Sequence, residues 1–430
     1  MSLLTYNLWL SWRNFVRMPG FYLLVAAILA IGCGLMAANI AIISTMTSDP
    51  LPEKSDVLYS VSLNRPNPGI DEEPYPASLY RDAKVIIDSN IPTQTVIHYT
   101  GGARVRRVSD DGDGYYFSKI RATNRDFFSM MLAPFAYGSP WESDNANDIV
   151  LGHDLNQSLF SGKNSVGELV EIGGKIYRVV GVLRPWQLRP VFYDAVGGNA
   201  FADTAGVFIP IERAIDDNVE VQSKLLINSG RELSGSRNQD WFFLQIWVQL
   251  DNEEQKNRLQ VFLDSYCQDL KKAGEHPLEI RNEIISVERW LDRQAVVDKK
   301  LLAFSVATLL FLLVCMFNAS SLLLARSVRM QFETALRRSV GANKKNIFLQ
   351  GVVENSLLGL FIGLLSIVLA WLFLKLSIDR FPGLENIANL SIHTLAMGFG
   401  VALLTALVTA FYPIYHSCRF RLKTELDRGH

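Results

Sequence analysis

The sequence lacks the motifs that mark the common catalytic and nucleotide sites. It contains no GxxxxGK[ST] phosphate loop, no HExxH zinc motif and no GxSxG nucleophile elbow, and its six histidines are scattered. An ATPase of the P-loop class needs this motif, because its backbone amides and lysine hold the nucleotide phosphates. We therefore expect a chain with no catalytic, cofactor-binding or metal-ligating residues of its own. A membrane-anchored enzyme stays an alternative, but it would need a catalytic group that no motif supplies.

Paired cysteines and a strong net charge are also missing. The four cysteines include no CxxC pair, and Cys267 alone falls in the large polar region, since Cys33 and Cys315 lie in apolar segments and Cys418 follows the last one. An internal disulfide in the polar region is therefore excluded. The formal net charge of −1 gives no reason to expect a nucleic-acid partner.

Charged residues are nearly absent from four segments, which we predict to be transmembrane helices: 21–44, 301–325, 347–374 and 395–416. Each is about long enough to cross a hydrocarbon core of ~30 Å as a helix. Residues 1–20 place apolar side chains at helical spacing beside Arg13 and Arg17, which predicts an amphipathic helix on the cytoplasmic membrane face. A cleaved signal peptide is the alternative, but the following apolar run is too long for one.

The remaining segments are polar, and the largest, residues 45–300, is expected to be an α+β domain. Lys175–Leu183 reads as a strand, Trp241–Leu250 as a strand covered on both faces, and Glu253–Ala273 as a helix. Val287–Lys300 is predicted to continue into residues 301–325 as one rigid stalk helix. The predicted fold is thus an integral membrane α-helical protein with four transmembrane helices and a large α+β periplasmic domain inserted between helices 1 and 2.

The basic residues orient this fold. The loop 326–346 carries six cations and one acid, and the tail 417–430 carries four more cations. Short loops rich in Lys and Arg stay on the cytoplasmic side. Both termini are therefore predicted to be cytoplasmic, with residues 375–394 forming a short periplasmic loop.

Within the basic loop, Glu333–Ala342 reads ETALRRSVGA and resembles the E-I-G-[IL]-R-R-A-[LV]-G-A signature of MacB/FtsX-type ABC transporter permeases. Thr334, Ala335 and Ser339 depart from that signature. Further resemblances follow the family order, in RMPGF at Arg17–Phe21, NRDFF at Asn124–Phe128 and YRVVGV at Tyr177–Val182. In the tail from Pro413, Ile414 and Leu422 replace the alanine and second proline of the family's ending.

The resemblance implies a permease of a MacB-like (type VII) ABC transporter in the bacterial inner membrane. Two such permeases, identical or related, would pair above a dimer of separate ATPase subunits, which would bind the ATP and Mg. A periplasmic adaptor and an outer-membrane channel are further partners that the family allows. ATP-driven closure would push the helix 333–342, and mechanotransmission would carry the movement outward for export. The residues implied in ATPase coupling are Glu333, Leu336, Arg337, Arg338, Gly341 and Ala342.

Alternatives share this membrane plan. An FtsX-like regulator of a periplasmic cell-wall hydrolase is one, and a lipoprotein-releasing permease is another. Glu354, an acid near the inner end of the third span, is read as structural or coupling, because it is close enough to the inner interface to extend its carboxylate to it or to pair with Lys344 or Lys345. Gly359 and Gly363 form a GxxxG motif that permits close helix approach, with dimerisation as one use.

Overall fold

The computed structural model describes residues 3–64, 76–109, 114–194, 200–222, 241–275, 279–294, 296, 299–341, 343–378 and 392–419. The chain divides into two compact units. One comprises Met1–Thr47 with Val297–His430, and the other is Ser48–Val296. The predicted outer loop 375–394 and tail 417–430 fall largely at 379–391 and 420–430, outside the described residues.

The described part of the first unit is helical. Its helices are α1 (Leu3–Arg17), α2 (Pro19–Met46), α9 (Lys299–Arg329), α10 (Gln331–Ser339), α11 (Lys344–Ile378) and α12 (Ile392–Arg419). Among the described residues, four helices are long and apolar enough to cross a membrane: Pro19–Met46, Leu301–Arg329, Lys344–Ser377 and Thr394–Ser417. In chain order, Ser48–Val296 falls between the first and second of them.

Small residues let the long helices pack closely. A Cβ built on Gly34 of α2 would lie 2.8 Å from the Leu369 Cβ of α11. A Cβ on Gly363 would lie 2.6 Å from the Phe399 ring of α12, and one on Gly359 would lie 2.9 Å from Leu403. The GxxxG motif therefore faces α12 of the same chain, so this face is not free for dimerisation.

The second unit is built on a mixed sheet. Its described strands are β1 (Leu58–Ser62), β2 (Gln94–Arg107), β3 (Tyr116–Thr123), β4 (Phe135–Gly138), β5 (Asp148–Leu151), β6 (Leu169–Ile172), β7 (Lys175–Leu183), β8 (Val207–Pro210), β9 (Gln245–Gln249) and β10 (Glu283–Ser286). The strand order is β10-β1-β9-β2-β3-β8-β5-β7-β4, and β6 pairs with β2 and β7. The β3–β8 and β5–β7 pairs are parallel, whereas the other pairs are antiparallel.

Six described helices connect the strands along the chain and pack against the sheet. They are α3 (Tyr80–Asp88), α4 (Asp126–Met130), α5 (His153–Phe160), α6 (Ile211–Asp216), α7 (Glu253–Lys272) and α8 (Val287–Arg293). The strand predicted at Lys175–Leu183 and the helix predicted from Glu253 are confirmed.

The strand predicted at Trp241–Leu250 is present as the shorter β9, Gln245–Gln249, and it is covered on both faces as expected. Ile246 and Val248 belong to one hydrophobic cluster and Trp247, which points to the opposite face, belongs to another. The Trp247 ring lies 5.6 Å from the Trp290 ring, edge to face. Two apolar layers therefore sandwich the sheet.

Helix α8 corrects the prediction of one continuous stalk. The helix ends at Arg293, and the next described helix begins at Lys299. Its start is capped by Ser286, whose hydroxyl accepts the Arg289 N–H, and the buried Trp290 indole donates to the Phe192 carbonyl oxygen at 3.0 Å. Packing inside the second unit thus defines α8, whereas the charge pattern alone favoured extension.

Candidate coupling site

Helix α10 is the short basic helix predicted from the signature. It begins after Met330, which interrupts the run from α9 with φ −91° and ψ 10°. Glu333 and Arg337 stand one helical turn apart, and their ion pair of 2.6 Å supports the helix.

Gly341 ends this segment, as predicted. Its φ is +109°, a conformation that a residue with a Cβ adopts only under strain. The preceding Val340 N–H still donates to the Leu336 carbonyl, and the Gly341 N–H donates to the Arg338 carbonyl, both at 3.2 Å. Ala342 lies outside the described residues.

Arg337 faces the neighbouring helix. One Nη donates to Glu333 and the other donates to Gln350 Oε1 of α11 at 3.2 Å. Arg338 is half-buried and also has partners within the chain. Arg337 therefore ties α10 to the start of α11, a contact that one sequence could not reveal.

The exposed side of α10 is apolar. Phe332, Leu336 and Val340 follow one another at four-residue spacing, with exposed fractions of 51%, 49% and 85%. The neighbouring Ala335 is buried. Of the coupling residues predicted from sequence, Leu336 thus lies on an exposed apolar stripe, which we call the α10 stripe (Phe332, Leu336, Val340).

Glu354 is the centre of a buried polar node. Its Oε1 accepts from the Tyr22 hydroxyl and from Arg326 Nη1, and its Oε2 accepts from Asn14 Nδ2 at 3.1 Å. The expected pairing with Lys344 or Lys345 is wrong, because ten residues of helix place Lys344 about 15 Å from Glu354 along α11. Arg326 of α9 is the partner instead.

The node joins four helices. Asn14 lies on α1, Tyr22 on α2, Arg326 on α9 and Glu354 on α11. The Arg326 guanidinium also stacks 4.7 Å from the Tyr22 ring centroid. A buried carboxylate with three donors, one of them a cation, is well satisfied, whereas loss of the cation would leave a buried charge unpaired.

A cleft of about 120 Å³ links the node to α10. Arg326 and Glu354 line one part of it, and Glu333, Arg337 and Gln350 line another. The same small cleft is therefore bordered by two sets of contacts. One set positions α10, and the other joins the membrane-spanning helices.

The second unit contains a buried charged cluster that sequence reasoning missed. Asp194 accepts from Thr100 at 2.7 Å, from Arg121 at 3.0 Å and from Lys119. Arg121 also donates to Nδ1 of the fully buried His98 at 3.1 Å. The available signal was the spacing of Lys119 and Arg121, which puts both on one face of β3.

These contacts set the protonation states of the cluster. Burial by itself would raise the pKa of Asp194, but Arg121 and Lys119 hold it well below its ordinary value. Burial, reinforced by the Arg121 charge, lowers the pKa of His98 well below its ordinary value. Since guanidinium only donates, the accepting His98 ring is neutral. Across the described part of the chain, no group of three or more His, Cys, Asp or Glu side chains could hold a metal ion.

Comparison with protein families identifies both parts of the chain. The model of the MacB-like periplasmic core domain matches residues 22–261. The model of the FtsX-like permease C-terminal domain matches residues 305–422. No curated protein matches the chain.

Solved structures similar to the chain include three isolated domains. The periplasmic region of MacB from Actinobacillus actinomycetemcomitans is 12% identical with a TM-score of 0.37, covering 58% of this chain and 96% of its own. A domain of a putative permease from Porphyromonas gingivalis is 12% identical with a TM-score of 0.38, covering 54% and 90%. The extracellular domain of the noncanonic ABC-type transporter YknZ from Gram-positive bacteria is 10% identical with a TM-score of 0.35, covering 53% and 100%.

Proposed function

The chain belongs to the family of MacB-like and FtsX-like ABC transporter permeases, and we propose that it couples ATP hydrolysis on a separate ATPase dimer to movement of its α/β unit. Permeases of this family are non-catalytic membrane subunits, and the ATPase activity lies in separate subunits. ATP and Mg would accordingly bind to the partner.

The observation that carries the proposal is the α10 stripe. Its apolar side chains lie in a strongly basic segment, which positive-inside orientation keeps in the cytoplasm. Exposed apolar residues on a short helix that Arg337 ties to α11 fit an apolar groove on another protein. The proposed partner is the ATPase, with Phe332, Leu336 and Val340 entering its surface.

The polar contacts of α10 would transmit its movement to the membrane-spanning helices. A push on α10 would reach α11 through Arg337 and Gln350, whose hydrogen bond is 3.2 Å. The node at Glu354 would share the movement among α1, α2, α9 and α11. Arg337 acts in this proposal as a brace within the permease, while Arg338 would contact acidic groups of the ATPase.

The output lies across the membrane. Strands β1 and β10 are antiparallel neighbours, with Tyr59 opposite Ser286. They are the first and last described strands of the α/β unit, so the chain enters and leaves at one edge of the sheet. Movement of the adjoining segments would therefore act on one edge. The proposed orientation has both termini in the cytoplasm and the α/β unit outside the inner membrane, where an adaptor and an outer-membrane channel could dock.

Mechanotransmission for export is the proposed outcome. An FtsX-like regulator and a lipoprotein-releasing permease would use the same input. The match of the MacB-like domain over residues 22–261 supports the export transporter over the FtsX-like regulator.

Co-purification tests the proposed docking. The chain is expressed with the ATPase proposed as its partner, as wild type and as Leu336→Glu, and as the reversal Arg337→Glu with Arg338→Glu. A buried glutamate in an apolar groove is strongly unfavourable, so we expect Leu336→Glu to reduce ATPase recovery by about tenfold or more.

The control is Arg281→Glu, which places the same residue on an exposed site of the α/β unit. It should leave ATPase recovery unchanged. Equal recovery with Leu336→Glu would contradict the proposed role of the α10 stripe.

A further inference from the structure

Helix α9 is the least covered of the four candidate spans. Within its most apolar stretch 17% of the residues are buried, against 39% in α11 and α12 and 56% in α2. Large side chains such as Phe317 and Val314 are exposed by 75% and 56%. Exposure of apolar residues alone fits contact with lipid, so it does not identify a partner.

One exposed face of α9 contains the polar residues Asn318 and Ser321 among apolar ones. Exposed residues recur at alternating intervals of four and three, the spacing of the contact seam between two helices in a left-handed coiled coil. We call this set the α9 seam: Ala307, Phe311, Val314, Asn318, Ser321 and Ala325. Three of its members are alanine or serine, and small residues permit close approach of membrane helices.

Contact with lipid does not account for the exposed amide of Asn318. It is exposed, and no described group of the chain hydrogen-bonds its side-chain amide. The candidate span is Leu301–Arg329, so Asn318 lies about 4.5 Å from its midpoint, deep in the hydrocarbon layer. An amide facing lipid tails there would lack hydrogen bonds and would be costly.

The chemistry of this side chain favours a second copy of the same chain. An amide offers both a donor and an acceptor, so two identical amides satisfy each other. Two copies inserted in one membrane share orientation, and a two-fold axis along the membrane normal places equivalent residues opposite one another. Asparagine at one seam position sets register and pairing in coiled coils.

Two other described faces of the spans are poorer candidates for pairing with a second copy. The GxxxG face of α11 is covered by α12, as the contacts of Gly359 and Gly363 with Leu403 and Phe399 demonstrate. The polar residue Asn39 of α2 is satisfied within the chain, since its amide donates to Thr308 at 2.9 Å.

We propose that the α9 seam packs in parallel against the same seam of a second copy, with the two Asn318 amides hydrogen-bonded across the axis. The inference rests on the proposed function for the presence of a paired permease, and it adds the surface and the residue that define the pair. A two-fold seam of this kind would bring the two copies together at the helix that leads directly into α10.

Disulfide crosslinking of the full chain in membranes tests the seam. In a background with Cys33, Cys267, Cys315 and Cys418 replaced by alanine, Ser321→Cys and Val314→Cys are oxidised with copper phenanthroline. The control is Leu309→Cys, which is 46% exposed but lies on the opposite side of α9 from Asn318. We expect covalent dimers from the two seam positions and none above background from the control.

A second variant tests the amide itself. Asn318→Leu in the Ser321→Cys background should lower the dimer yield by about tenfold, as expected when a membrane helix pair loses its interhelical hydrogen bonds. Leu313→Ala, off the seam, should not lower it. An unchanged yield with Asn318→Leu would overturn the role of Asn318.

Each crosslinking assay is run with and without the partner ATPase, whose co-purification is measured in parallel. Absence of dimers at both seam positions under both conditions, or equal crosslinking of Leu309→Cys, overturns the seam. Retained ATPase in those samples would leave the proposed coupling standing. Crosslinking to a different membrane protein in place of a second copy also overturns the proposal.

Discussion

At the scale of single residues, buried polar groups decide how this chain behaves. His98 and Glu354 each sit among partners contributed by distant parts of the sequence. The sequence marks Glu354 as unusual because it is an acid inside an apolar segment. It does not reveal Arg326, which lies 28 residues away and reaches Glu354 only when α9 and α11 pack together.

His98 makes stability of the α/β unit depend on pH. Its pKa is well below the ordinary value in the folded unit because of burial and the Arg121 charge, and it returns to about 6.5 on unfolding. Below that pH the unfolded state binds the extra proton, so stability is full above pH ~6.5 and falls as pH is lowered. The slope should reach about 1.4 kcal/mol per pH unit.

Urea unfolding of the isolated α/β unit between pH 5 and 8 measures this slope. His98→Asn should flatten it, while His153→Gln, at an exposed position, should preserve it. A slope that survives His98→Asn would contradict the account of the buried ring.

Arg326 should stabilise the membrane unit mainly by neutralising Glu354. Arg326→Met leaves a buried carboxylate without its cation, which costs about 3–5 kcal/mol. Adding Glu354→Gln should recover much of that loss, because the amide can still bond Tyr22 and Asn14. Thermal unfolding in detergent compares the single and double variants, and strictly additive losses would argue against the pair.

At the scale of elements, local patterns predict well where local physics dominates. Strand β7 is Lys175–Leu183 as expected, and Gly341 ends the α10 segment because its positive φ favours glycine. Helix α8 was predicted too long, because its end depends on packing around Trp290. The direction of Arg337 and the exposure of Leu336 also depend on neighbouring helices, which periodicity does not specify.

The α11–α12 contact gives a prediction at this scale. Gly363→Ala would place a methyl group 2.6 Å from the Phe399 ring, whereas Gly400→Ala meets nothing within 4 Å. Overpacking should cost Gly363→Ala about 1–3 kcal/mol. Thermal melting in detergent should show the loss for Gly363→Ala, while Gly400→Ala should equal wild type. Equal melting of both variants would mean that the helices separate easily at this point.

At the scale of the whole molecule, the partition of charge predicts a chain of apolar helices with a large polar insert. The apolar residues within the insert also predict that its strands and helices each bury one face or both. Strand order does not follow, since β1 lies between β9 and β10, which come from the far end of the unit. Such long-range pairing depends on how all the strands and helices pack together, and short stretches of sequence contain little information about it.

The partners of the molecule follow from different kinds of surface. The α10 stripe is apolar in a basic cytoplasmic segment and fits a soluble ATPase. The α9 seam is apolar with one amide at membrane depth and fits a second permease. The two surfaces lie on consecutive helices that are separated only at Met330. The proposed contact with the second permease would therefore lie next to the proposed contact with the ATPase along the chain.

Coupling between the two proteins is measured as the rate of ATP hydrolysis by the partner ATPase, reconstituted with the chain in lipid. We expect the wild-type chain and Arg281→Glu to change this rate to the same extent. We expect Leu336→Glu to return the rate to that of the ATPase alone. A rate that is the same with and without the wild-type chain would contradict the claim that this permease is coupled to that ATPase.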